Sequence, residues 1–299
     1  MIDTHAHLDD KQFDKDREET ILRSFESGVE KIINIGADLE GSRASVELAQ
    51  SHKNIFAAVG LHPHCFSEKE FSIFNFQFSI NSQLFNFKFR KNLKQIRKLA
   101  KNEKVVAIGE VGLDYFFYEA YGIEHIAKIK QRQKKGFVAQ LELAQELDLP
   151  VIIHCRSSKE NPTDAYDDLY AIISKNLQTE KCKLVMHCYS GNLDFTKKLL
   201  QHKNIYFSFT PNITYKTRKN SIGTKDDIVE SIKIIPLERI MVETDCPYLA
   251  PQEFRGSRSE PAYVKYAVEK IAQIKGIELE EAERITTKNS KIFFSVDNS

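Results

Sequence analysis

The sequence predicts a (β/α)8 TIM barrel, and three observations carry that prediction. Eight short runs rich in Val, Ile and Leu recur along the chain. Stretches with helical period separate them. At 299 residues the chain is long enough to close such a ring. Apolar strands alternating with helices indicate a parallel sheet covered on both faces. A doubly wound open sheet shares these signals and is the alternative architecture.

In order, the runs are "MIDTHAHL", "KIINIGA" from Lys31, "IFAAVGLHPH" from Ile55 and "VVAIGEVGLD" from Val105. "PVIIHCR" from Pro150, "KLVMHCYSG" from Lys183, "IYFSFTP" from Ile205 and "RIMVETDCP" from Arg239 follow. The clearest helix is "IEHIAKIKQRQKKGFVAQLELAQEL", where Phe137, Leu141, Ala144 and Leu147 recur three and four residues apart. Its basic part, "KIKQRQKK", reads as a solvated face, with approach to a phosphate backbone as the alternative. "IELEEAERITTKNSKIFF", amphipathic from Glu281 to Lys288, reads as a final helix closing the barrel. There is no repeat of fixed period and no linker, which predicts a single domain over residues 1–299.

The stretch "FSEKEFSIFNFQFSINSQLFNFKFR", about residues 66–90, is rich in Phe, Asn and Ser. It reads as an insertion packing on the outside, since loops tolerate added length. Its alternation would also suit an extra hairpin at the barrel mouth, with Phe rings placed to stack on bases.

Charge excludes some partners. Forty-two acidic residues nearly cancel 43 basic ones, so no overall field draws the protein onto nucleic acid or an anionic membrane. Any nucleic-acid contact is therefore local. No apolar run approaches the roughly 20 residues that span a bilayer. Asp3 and His5 stand where a signal peptide would carry positive charge and a long apolar stretch. Five cysteines with no CxxC pair argue against a disulfide framework or zinc ribbon. The expectation is a cytoplasmic protein without a membrane anchor.

The informative regularity is where polar residues fall. Run after run ends in a metal-type or acid/base side chain: His5 and His7, His62 and His64, Glu110, His154, His187, Asp245. Side chains two apart on a strand share a face, so His5 and His7 can pinch one ion. A barrel gathers the C-terminal ends of its strands around one mouth, where its chemistry is done. Residues some 240 positions apart are thus expected to converge on a metal site. Cys155, Cys188 and Cys246 directly follow ligand candidates, and strand alternation turns them away as small packing residues.

These residues resemble those of the TatD family of metal-dependent hydrolases, in the amidohydrolase superfamily of barrels. The resemblance runs through "IDTHAHLDD", "GLHPH", "VVAIGEVGLDYF", "QLELAQELDLPVIIHCR", "HCYSG", "IIPLERIMVETDCPYLAP" and "RGSRSEPAYV", nearly the whole chain. It implies a cytosolic barrel phosphodiesterase, often a deoxyribonuclease that trims DNA from an end. By resemblance His5, His7 and Asp245 bind one divalent metal, His154 and His187 a second, and Glu110 bridges the two. Zinc, magnesium and manganese all remain open. Asp245 doubles as general base towards a metal-activated water, making Asp245 and Glu110 the catalytic pair. His62 and Arg156 are candidates to hold the substrate phosphate.

Two departures stand out. "SFTPNITYK" lacks a glycine expected near Pro211, and the family's Arg-Asn-Glu-Pro turn reads Arg-Ser-Glu-Pro at Arg258 to Pro261. The leading function is a metal-dependent phosphodiesterase acting as a monomer on DNA ends or single strands, as a 3′-5′ exonuclease. Hydrolysis of another ester or amide, such as a D-aminoacyl ester on tRNA, uses the same water. A non-catalytic metal-binding interaction protein is the alternative of another class.

Overall fold

The computed structural model describes residues 1–66, 82–116, 123–176, 182–216 and 225–297. Its eight strands are β1 (Ile2–Ala6), β2 (Lys31–Gly36), β3 (Ile55–Val59), β4 (Val105–Asp114), β5 (Val151–Arg156), β6 (Leu184–Met186), β7 (Ile205–Phe209) and β8 (Ile240–Val242). All eight fall inside the apolar runs. Each strand pairs in parallel with the next, in chain order. β8 is short, so the ring is drawn nearly closed by the residues after it. His7 N donates to the Cys246 carbonyl and Asp245 N to the His5 carbonyl, both at 2.8 Å. This is the (β/α)8 barrel, not the open sheet.

Two cores hold it. Inside the ring, Ile2, Ile33, Phe56, Val106, Ile152, Val185 and Met241 pack with Phe293 and Phe294. These two rings come from the last helix, α9 (Leu279–Phe294), which plugs the N-terminal floor as expected. Truncating such a buried Phe to Ala costs about 3–5 kcal/mol. Outside the ring, Phe137, Leu141 and Ala144 of α4 (Ile123–Leu147) pack in the larger cluster between strands and helices.

Two irregularities aim side chains at the mouth. Between Ile108 and Val111, β4 carries one more residue than β5 opposite it, a bulge that contains Glu110. β1 carries a similar shift between Asp3 and Ala6, around His5. An extra residue breaks strict alternation and re-aims the chain. Gly112 pairs with His154 at a φ of +142°, and a Cβ there would sit 2.0 Å from the His154 carbonyl oxygen. Only glycine fits.

Three expectations change. Of the segment about 66–90, residues 82–90 are no hairpin but the start of α3 (Ser82–Leu99). Residues 67–81 lie outside the described residues. "KIKQRQKK" is only partly solvated: Ile129 and Gln133 are buried, Lys130 pairs with Asp164 at 2.5 Å and Lys134 with Asp168 at 2.8 Å. Cys246 is a buried packing residue and Cys155 packs half-buried against the core, but Cys188 is half-buried and lies beyond its strand. β6 has ended two residues before it, so strand alternation does not govern where it points.

The Arg-Ser-Glu-Pro turn still makes its rim contact. Arg258 grips Asp16 with both nitrogens, at 2.7 and 2.5 Å, and Glu260 pairs with Arg23 at 2.9 Å. The Arg258 contact holds the Asp16 pKa down to about 2. A carboxyl depressed on folding stabilises above its unfolded pKa, about 3.9, and loses that contribution as pH falls through the folded value. Solvent screening limits the pair, so Asp16→Asn should cost about 1 kcal/mol near neutrality. Urea unfolding should show the gap from wild type closing as pH drops from about 4 towards 2. A gap that stays constant over this range would refute the assignment.

Candidate metal centre

The end of β1 and the residue just after it supply the first two side chains. The Nε2 atoms of His5 and His7 lie 3.2 Å apart, brought together where the register shift ends the strand. His7 Nδ1 lies 3.0 Å from the Ile35 carbonyl. A carbonyl only accepts, so Nδ1 carries a proton and Nε2 is the nitrogen turned towards Asp245, whose carboxylate raises the His7 pKa to about 9 against the effect of burial. His5 Nδ1 is buried with no hydrogen-bond partner among the described residues.

Glu110 stands at the centre. Its carboxylate is 4% exposed and lies 2.8 Å from His154 Nδ1, 3.5 Å from His5 Nε2, 3.6 Å from His187 Nε2 and 3.7 Å from His62 Nε2. Burial alone would raise its pKa, but those rings hold it well below the usual carboxylate range. Asp245 closes the group, with Oδ1 3.5 Å from His7 Nε2 and Oδ2 4.0 Å from His187 Nε2. Its own pKa is likewise lowered against burial, by His7 first and then His187 and His5. The Asp245 backbone sits at a φ of +57°, a left-handed conformation that few non-glycine residues hold unless their surroundings demand it.

His154 and His187 meet at Glu110 rather than at each other; their ring centroids are 6.4 Å apart. His187 stacks on His5 at 3.5 Å, and its Nδ1 lies 2.9 Å from Glu243 Oε1. His154 is held between two carboxylates, Nδ1 at 2.8 Å from Glu110 and Nε2 at 3.2 Å from Asp114. Burial would depress it, yet Asp114 and Glu110 raise its pKa to about 10.

His62 has a defined tautomer. Its Nδ1 accepts from the His64 backbone N–H at 3.2 Å and lies 2.7 Å from the His64 ring Nδ1, an arrangement met when His64 Nδ1 donates and the His62 proton sits on Nε2, 3.7 Å from Glu110. Burial pushes its pKa down to about 3, leaving a neutral donor. Arg156 ends β5 at the rim, exposed, with its guanidinium 3.6 Å over the Phe116 ring; Lys159 lies 5.2 Å from the same ring. All eight predicted site residues therefore lie at the C-terminal ends of the strands.

Among the described residues, ligand-type atoms fall into three groups, each within 4.8 Å: His5, His7 and Asp245; His5, Glu110 and His187; His62, Asp114 and His154. This donor set fits a divalent cation. The carboxylates raise the pKa values of His7, His154 and His187 despite burial, so the cluster stabilises positive charge placed among its donors, whether protons or a metal ion.

Sequence reading passed over the residues that hold this set in place. Asp114 bonds His154, and Glu243 stands 2.9 Å from His187 Nδ1, the positions from which carboxylates commonly orient metal-ligating histidines. Asp114 closes the same run as Glu110, and the end-of-strand rule applied once more finds it. Gln133 bonds both Asp114 N and O at 3.0 Å, and Gln140 bonds Leu61 N at 2.7 Å and O at 3.0 Å. No local signal marks these two glutamines inside a helix.

A family model described as TatD-related DNase matches residues 2–295. The chain belongs to the TatD family. Its relatives include the uncharacterized metal-dependent hydrolase YabD of Bacillus subtilis strain 168, 35% identical over 297 residues, covering 99% of this chain and 100% of that protein. The 3′-5′ ssDNA/RNA exonuclease TatD of Enterobacter lignolyticus is 30% identical over 300 residues, covering 99% of each. Among solved structures, YJJV, a TatD homologue from Escherichia coli K12, superposes with a TM-score of 0.77 at 26% identity, covering 99% of this chain and 98% of that one. This TatD protein is thus a metal-dependent hydrolase in type. Among its described residues no helix is long and apolar enough to cross a membrane.

Proposed function

We propose that this protein is a divalent-metal-dependent phosphodiesterase that removes nucleotides from the 3′ end of single-stranded DNA. One observation carries the reading: a buried, ionised Glu110 ringed by four imidazoles at the barrel mouth. His5, His7 and Asp245 would hold one cation and His154 and His187 a second, with Glu110 within reach of both sets. When bound, such ions supply Lewis-acid stabilisation of a phosphate and acidify water.

The chain's own groups do the rest. Asp245, kept ionised by its neighbouring rings, takes the proton from the attacking water. His62 donates from Nε2 to a phosphate oxygen. Arg156, laid flat on Phe116, offers its planar fork to the same anion. Asp114 and Glu243 keep His154 and His187 turned inward. None of the five cysteines forms a disulfide, which suits a reducing cytoplasm.

The test is to incubate metal-loaded protein in parallel with end-labelled single strands, duplexes and aminoacylated tRNA. Stepwise shortening of single strands from the 3′ end is expected, with the aminoacyl ester left intact. Deacylation of tRNA without shortening of DNA would replace this reading with ester hydrolysis.

A further inference from the structure

Tyr248 is one of the few large apolar side chains exposed on the described surface, at 51%. A single exposed aromatic means little by itself. This one stands three residues after Asp245, with its ring edge-on to His7 at 6.4 Å between centroids. It is also held at both ends. Its backbone N donates to the Asp245 carbonyl at 2.9 Å, and its hydroxyl donates to Asp10 Oδ2 at 3.3 Å. A ring fixed in this way beside the reaction centre offers a flat face at little cost in conformational entropy.

Charge divides the mouth around it. On the β1 and β8 side, Asp9 and Asp10 flank Tyr248, and Asp10 is its hydroxyl partner. On the β5 side, across the ring, Arg156 and Lys159 gather over Phe116. Immediately beside Asp10 a phosphate is disfavoured, and beside Arg156 and Lys159 it is favoured. An uncharged base is accepted beside the carboxylates, where a further phosphate is not. Resting on the phosphodiesterase reading, we infer that Tyr248 stacks against the base of the terminal nucleotide, while the rest of the strand leaves over Arg156. This makes Tyr248 a positioning residue for a single-stranded end, and it gives the site a side on which the strand must stop.

The experiment uses metal-loaded protein and two single strands, one ordinary and one whose 3′-terminal nucleotide lacks its base. Stacking on one aromatic ring should make Tyr248→Ala raise KM for the ordinary strand about 5- to 100-fold, with kcat and metal content close to wild type. Removing the base should raise the wild-type KM by a similar factor. Removing both ring and base should cost no more than removing either, because the two losses describe one contact. Tyr248→Phe keeps the ring and should stay within about twofold of wild type. Independent, multiplying losses would overturn the stack, as would a Phe variant as impaired as the Ala variant. A wild type that cleaves both strands with equal KM overturns the stack and leaves the phosphodiesterase standing. One that cleaves neither strand overturns both.

Discussion

Replacing Asp245 with asparagine is expected to lower turnover by about 10²–10⁴-fold, the usual worth of a positioned general base. Asparagine keeps the shape and one oxygen donor but removes the charge and nearly all basicity. The site explains why the loss should fall on turnover. Asp245 approaches His7, His5 and His187 at 3.5, 3.9 and 4.0 Å, so it is one of several groups around the cation position. His154 and Glu110 are untouched by the change, and the proposed grip on the phosphate belongs to His62 and Arg156 rather than to Asp245. KM should therefore move little. Metal content and kcat have to be read on the same sample, because metal loss imitates a catalytic defect. A fully metallated Asp245→Asn protein with near wild-type turnover would place the base elsewhere.

Glu110→Gln should be the more damaging change, and it should strike metal binding first. Four imidazole nitrogens lie within 3.7 Å of this carboxylate. Its negative charge would offset the charge of bound cations, which imidazole ligands, uncharged once they ligate, do not. Outer groups that merely orient a ligand are worth roughly 10–100-fold in affinity, and a directly ligating central carboxylate should exceed that. Binding confined to the folded state stabilises it by mass action, about 2.7 kcal/mol at 100 times the dissociation constant. Saturating metal should thus raise the unfolding free energy of wild type by roughly 3 kcal/mol and that of Glu110→Gln by less than about 1 kcal/mol. Denaturant unfolding with and without chelator, alongside metal analysis, measures both. Equal stoichiometry and equal stabilisation in the two proteins would remove Glu110 from the ligand set.

Much of this was legible in the chain because it is local. Val- and Ile-rich runs become strands wherever both faces are covered, so all eight could be found from the residues themselves. A parallel ring then sends every strand's C-terminal end to one mouth, and His5, Glu110, His154 and Asp245 need no further information to be gathered there. The hairpin, the alternative reading of the segment that includes the start of α3, fails over residues 82–90 for the opposite reason. Residues 82–90 alternate like a strand, but the helix continues into Leu93 and Leu99, which pack on the core, and that burial outweighs the local pattern.

The sequence by itself determined the strands, their polarity and which side chains reach the mouth. Only the tertiary structure decided what each of them does there. The bulge at Glu110 turns one carboxylate among four rings. The Ile35 carbonyl and His64 N–H choose the protonated nitrogens of His7 and His62, and Asp114 sets itself against His154. Asp10 fixes the Tyr248 ring from 238 residues away. Strand formation depends on neighbours a few residues apart, and its pattern is written in one dimension. Tautomer, rotamer and charge state depend on atoms within a few ångströms that the chain brings together only by closing the barrel.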